Sequence, residues 1–161
     1  MICNNLSLNS ERHLTFAGVD TVKKEKKYGT PLYLMDENKI REHIATYKNA
    51  MAKYFPKGSV PEFASKAFSA KQIYRIAAEE GIHIDVVSPG EIYTALKAGF
   101  PMEHCFFHGN NKTDADLTFA VEHGVGYIVL DSEDEVSALN EIAREKGVVQ
   151  KTLLRVTPGI D

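Results

Sequence analysis

From Pro61 onward, short apolar segments rich in β-prone residues alternate with longer stretches in which apolar residues recur at helical spacing. The strand candidates are Glu62–Ser65, Ile82–Val87, His104–Phe107, Tyr127–Leu130 and Thr152–Val156, with starts 20 to 25 residues apart. The stretches between them carry helix start signals. Ser69 with Gln72, Ser88 with Glu91 and Ser132 with Glu135 have capping-box spacing, and Thr113 with Asp116 is a weaker version. Pro89 takes a first helical position, and Gly81, Gly99, Gly124 and Gly147 stand where the helices should stop. Ahead of this series, Pro31–Met35 reads as a strand and Asp36 as the cap of a long helix with Ile40, Ile44, Tyr47, Met51 and Tyr54 on one face. Leu14–Phe16 and the Val19 region read as short strands of a different layer.

Strand alternating with helix implies an α/β fold with a parallel sheet. A doubly wound open sheet and an eight-fold barrel both satisfy that pattern. Short repeats with no Gly-x-Gly-x-x-Gly after the first strand, and no Walker-type loop, favour the barrel. A full barrel takes roughly 250 residues, so the 161 residues here supply about five of its eight βα units. The expectation is an incomplete TIM-type barrel: residues 31–161 its N-terminal part, residues 1–30 a segment belonging to another layer.

Composition narrows the function classes. With 43% apolar and 25% charged residues and a net charge of −3, the chain is of ordinary globular make-up. It lacks the clustered Lys/Arg excess that nucleic acid requires, Lys23–Lys27 being a short run of a solvated face. No stretch approaches a membrane span, and residues 1–16 lack a signal-peptide core. Cys3 and Cys105 are far apart and have no neighbours at metal-ligand spacing, so no metal is expected and a reducing cytoplasm is the expected compartment.

In parallel α/β barrels the active site is built at the C-terminal ends of the strands, and the residues there are polar. They are Lys66, then Asp85 and Ser88, His108-Gly109-Asn110-Asn111-Lys112, Asp131 and Ser132, and Arg155 and Thr157. Ser88 and Ser132 read first as helix caps. Asp131 is as consistent with a loop residue as with a site residue. The loop 108–112 is as consistent with a plain turn as with a run of donors facing an anionic cofactor. Lys66, inside Phe63-Ala64-Ser65-Lys66-Ala67-Phe68, has two readings as well. It is a lysine snorkelling from a strand end, or an amine whose apolar surround lowers its pKa and makes it a nucleophile.

The block around Lys66 resembles the cofactor-lysine motif of the diaminopimelate decarboxylases, members of the barrel-fold decarboxylases that use pyridoxal 5'-phosphate (PLP). Four further blocks agree in order: Tyr28-Gly29-Thr30-Pro31-Leu32-Tyr33, Asp85-Val86-Val87-Ser88-Pro89-Gly90-Glu91, His108-Gly109-Asn110-Asn111-Lys112 and Leu154-Arg155-Val156-Thr157-Pro158-Gly159. Pro89 stands where a small residue is the family's habit. The resemblance implies a cytoplasmic enzyme of lysine biosynthesis that converts meso-diaminopimelate to L-lysine and CO2. Ornithine- or arginine-type decarboxylation is the alternative within the family, and a non-enzymatic PLP-binding or assembly fragment is the alternative outside it. Lys66 would be the Schiff-base lysine, Asp85 and Glu91 would shape the site, His108 would lie beside the cofactor and Arg155 near its ring. By the same resemblance, the phosphate-binding glycines and the partner-subunit residues come later in the chain. This chain is therefore expected to be a truncated, inactive part of a homodimeric parent, and by itself oligomeric or aggregation-prone.

Overall fold

A computed structural model describes residues 4–159. They fall in two compact units that divide between His43 and Ile44. Cys3 lies outside the described residues.

In the first unit, β1 (Leu6–Leu8), β2 (Leu14–Phe16) and β3 (Val19–Asp20) form an antiparallel sheet in that order. Strands β2 and β3 are the short strands expected at Leu14–Phe16 and near Val19. Helix α1 (Thr21–Tyr28) follows, capped by Asp20, whose carboxylate accepts from the Lys23 N–H. That backbone bond, aided by His13 and Asn9, holds the Asp20 carboxyl down at about 2. Residues 31–35 do not form the expected strand. A strand needs a neighbour for its backbone groups, and this segment pairs with none of the described strands; Tyr33 is 91% exposed. Asp36 does cap α2 (Glu37–Tyr54), accepting from the Lys39 N–H at 3.2 Å. The apolar face anticipated for α2 exists in sequence but is not buried, Tyr47 and Tyr54 being largely exposed.

The second unit carries the strand and helix series. Strands β4 (Glu62–Ala64), β5 (His83–Val86), β6 (Cys105–Phe107), β7 (Tyr127–Leu130) and β8 (Lys151–Leu154) form one parallel sheet in chain order. Between them run α3 (Lys71–Glu80), α4 (Pro89–Ala98), α5 (Asp114–Glu122) and α6 (Glu133–Lys146). Each strand lies within two residues of its expected place. Gly81, Gly99 and Gly147 end their helices in the left-handed conformation.

Register explains the core. Ile84 lies opposite Cys105, and Phe107 opposite Ile128, so these residues share one face of the sheet. All four are almost wholly buried, against Tyr74, Ile76, Ile92 and Leu117 from the helices. Each such aliphatic side chain stabilises the fold by roughly 1.5–3 kcal/mol. Burial also pushes the Cys105 thiol up to about 12, which makes it a packing residue. The other face carries His83, Asp85, Phe106, Tyr127 and Lys151, in register across four strands. Its rings stack in series: His104 against His83 (centroids 4.8 Å apart), His83 against Phe106 (5.5 Å) and Phe106 against Tyr127 (4.6 Å).

The start signals correct the sequence reading in an informative way. Thr113 and Asp116, the weaker pair, make the complete reciprocal box. Ser69 caps nothing; its hydroxyl bonds the buried Tyr74 hydroxyl at 2.8 Å, and α3 begins after Ala70 without a side-chain cap. Ser88 and Ser132 do cap their helices.

Two outcomes follow for stability. Gly126 crosses so close to the preceding turn that a Cβ would lie 2.0 Å from the Glu103 carbonyl oxygen, while its N–H donates to Met102 O. Gly126→Ala is therefore expected to cost about 2 kcal/mol in urea unfolding, because rigid backbone has to move. His83 is the second case. Burial, and secondarily His104, depress its pKa below 6.5. Between the folded and the ordinary value the unfolded chain binds the extra proton, so stability falls as pH drops through 6.5. The urea midpoint of His83→Phe, which keeps a ring against Phe106, should fall less than that of the wild type between pH about 8 and about 5. Equal slopes would remove His83 as the source.

Candidate active site

The C-terminal ends of β4, β5 and β6 bring three of the anticipated residues together. Lys66 sits in a 3-10 turn, Ser65–Ala67, directly after β4. The turn is anchored by Ser65, which is fully buried and donates its hydroxyl to Asp85 O at 2.8 Å. Lys66 itself is exposed, as are Ala67 and Phe68. The apolar enclosure expected from its neighbours in sequence is thus not formed by the described residues, Phe68 itself being 41% exposed. Lys66 carries no hydrogen bond or ion pair among them.

Asp85 faces this amine from the neighbouring strand, in register with Ala64. Its Oδ1 is buried and has no hydrogen-bond partner among the described residues. The His108 Nε2 lies 3.7 Å away, near enough for Coulomb attraction and too far for a hydrogen bond. Burial raises the Asp85 pKa; His108 and Lys66 pull it down, and Glu91 adds to the rise. The His108 N–H continues the sheet ladder by donating to Val86 O at 2.8 Å, which fixes the start of the loop.

The other two candidates are engaged elsewhere. Glu91, 9% exposed, uses Oε2 to accept the Val87 N–H at 2.5 Å and so closes the turn from β5 into α4. Arg155 follows β8, where its Nε lies 3.4 Å from Asp131 Oδ1, and its side chain is mostly exposed.

Lys112 and Glu135 were not singled out individually as site residues, yet both are buried here. The Lys112 ammonium donates to Gly109 O and Val129 O and pairs with Glu135 Oε1 at 3.0 Å. Glu135 Oε2 meanwhile accepts the Asp131 N–H at 2.9 Å, as Glu91 does for Val87. The signal in sequence was the run of polar residues 108–112 after a strand, which does not reveal which member turns inward. A further cluster of ionisable groups among the described residues, Glu11, His13 and Asp20 in the first unit, is tied together by Lys23.

An amine, a half-buried carboxylate with one oxygen that accepts no hydrogen bond among the described residues, and an imidazole thus lie at adjoining ends of parallel strands; an amine so placed can bond covalently to a carbonyl carbon. The pattern of the family described as pyridoxal-dependent decarboxylase, pyridoxal binding domain, matches residues 37–161, and the chain belongs to that family. Within it, the chain is similar to the diaminopimelate decarboxylases. It is 48% identical over 154 residues to that of Bacillus methanolicus and 45% identical over 153 residues to that of Bacillus subtilis. These alignments cover 96% and 95% of this chain and 35% of each relative, so the chain spans about a third of their length. The crystal structure of diaminopimelate decarboxylase from M. jannaschii in co-complex with L-lysine superposes with a TM-score of 0.85 at 28% identity. That match covers 98% of this chain and 37% of the other. The five-stranded parallel sheet is accordingly part of a barrel of the PLP-dependent decarboxylase type.

The family's cofactor is PLP. The residues present fit one end of it: Lys66 supplies an amine without a partner, and the orphaned Asp85 Oδ1 supplies an acceptor beside it. Replacing that acceptor should separate stability from binding. A carboxyl whose folded pKa is raised destabilises the fold above that pKa and not below its ordinary 3.8. Asp85→Asn should therefore raise unfolding stability by about 1 kcal/mol near neutral pH. The gain should vanish in acid below the ordinary carboxylate range. Urea titrations at both pH values check this; a loss at neutral pH would mean that Asp85 is better satisfied than its geometry implies.

Proposed function

We propose that this chain is the lysine-bearing part of a PLP-dependent decarboxylase that converts meso-diaminopimelate to L-lysine and CO2 in the cytoplasm. The observation that carries the reading is the placement of the Lys66 amine at a strand end beside Asp85, whose Oδ1 accepts no hydrogen bond among the described residues and lies 3.7 Å from His108 Nε2. The choice of substrate rests on the similarity to diaminopimelate decarboxylases and on the L-lysine in the M. jannaschii complex.

Lys66 would hold the cofactor through its Nζ and yield that bond to the substrate amine. Asp85 would keep a negative charge beside the nitrogen at that exchange. His108, 36% exposed in its side chain, would stand at the solvent side, where a proton can enter or leave. PLP supplies the electron sink that receives the pair left when the carbon–carboxylate bond breaks. Among the described residues the strand ends beyond β8 are not represented, and barrel phosphate sites use the loops after strands seven and eight. Residues 1–30 and 31–161 are read as contributions to the second domain and to the barrel, respectively. We further propose that the parent is a homodimer and that the chain by itself self-associates, since β4 and β8 each pair with a single described strand and Tyr47, Tyr54 and Val149 are exposed.

Incubation with PLP, borohydride reduction and peptide mass mapping should place a pyridoxyl label on Lys66, and Lys66→Ala should abolish it. The protein carrying this segment at its full relative's length should release CO2 from meso-diaminopimelate in preference to ornithine. Equal or faster release from ornithine would sink the substrate assignment while leaving Lys66 in place.

A further inference from the structure

We propose that Lys112 and Glu135 form a buried positioning pair that presents His108 to Asp85 and Lys66. This rests on the functional reading above. Lys112 is 9% exposed, its side chain almost entirely enclosed, and its ammonium has three donors. Three oxygens from three places surround it: Gly109 O in the loop itself and Val129 O in β7 at 2.9 Å accept hydrogen bonds, and Glu135 Oε1 in α6 pairs with it at 3.0 Å. The Phe107 ring lies 5.8 Å from the same ammonium. The loop is therefore tied at one end to β5, through His108 N–H to Val86 O, and at the other to β7 and α6.

Gly109 completes the clamp. Its φ of +133° is one that L side chains rarely adopt, and a Cβ there would meet the Lys112 side chain at 3.5 Å. The loop folds back on the lysine stem, and His108, the residue before the fold, is left with its ring 3.7 Å from Asp85. Glu135 is shared: its second oxygen takes the Asp131 N–H, and Asp131 in turn faces Arg155. One buried pair thus sets the geometry of the loops after β6 and β7.

A buried ion pair is weak evidence for stability, because desolvation offsets much of its attraction and an apolar pair of similar size often replaces it without loss. Orientation is what such a replacement cannot restore, and this separates a positioning role from a merely structural one. Lys112→Met alone should unfold readily, since it strands the Glu135 charge. Lys112→Met with Glu135→Gln removes both charges and should recover most of the wild-type urea midpoint. It loses the ties to Gly109 O and Val129 O all the same.

The experiment is the rate of borohydride-trapped labelling of Lys66 by PLP in the full chain, with and without His108→Ala in each background. In the paired variant the labelling rate should stay about tenfold below wild type although stability has returned. His108→Ala should slow the wild type by a similar factor and the paired variant not at all. Recovery of the rate together with stability, or an equal effect of His108→Ala in both backgrounds, would overturn the proposal. The carbethoxylation rate of His108, with exposed His123 as reference, gives a reading that needs neither PLP nor the paired variant. In Glu135→Gln it should rise several-fold over wild type, and an unchanged rate would overturn the proposal. Absence of label on wild-type Lys66 would instead count against the functional reading, and the His108 rates would then decide the positioning role.

Discussion

The parallel register of β4 to β8 is the constraint on which the rest of this molecule depends. Pairing Ala64 with Asp85 and Asp85 with Phe106 sends one row of side chains to one face. The intervening row, Phe63, Ile84 and Cys105, goes to the other. The second row is the one met by the helices, and there Ile84 and Cys105 are wholly buried. A one-residue slip would exchange the rows and place Asp85 in the core. The same register aligns the strand ends, so residues distant in sequence arrive at one rim: Lys66, His108 and, farther round, Arg155.

That rim is held by carboxylates used in two different ways. Glu91 and Glu135 are buried and satisfied, each gripping the N–H of the residue that follows its strand. They turn the chain from strand to helix, and the turns set where the next strand begins. Asp85 is the opposite case, with a buried oxygen that nothing among the described residues satisfies. Polar groups in folded proteins rarely stay unpartnered. A cost left standing beside an exposed amine and an imidazole is more economically explained by a bound group than by packing.

The strand positions were legible because short apolar β-prone runs alternate with helical-period stretches that carry start and stop signals, and the parallel order followed from that alternation. That Lys66, Asp85 and His108 would come to strand ends was legible from the same alternation. Side-chain direction was not legible. Ser69 and Gln72 have capping spacing, but Tyr74 offered the Ser69 hydroxyl a buried partner and the helix started one residue later. Residues 31–35 have strand composition, and composition alone cannot supply a partner for their backbone. Around Lys66 the flanking apolar residues suggested enclosure, whereas enclosure depends on tertiary neighbours, and Ala67 and Phe68 are exposed together with the lysine.

Lys112 shows why the last of these matters for function. In sequence it is one cation in a polar loop, indistinguishable from the solvated lysines of residues 23–27. Its burial is decided by three oxygens, two of them from β7 and α6, which lie well beyond the loop in the chain. A group with that many ties costs little to keep buried once all are made, and much if any is missing. The loop therefore has one well-satisfied arrangement, and it is the arrangement in which His108 faces Asp85. Precision at the rim comes from the polar contacts beneath it, as much as from the residues that would touch a substrate.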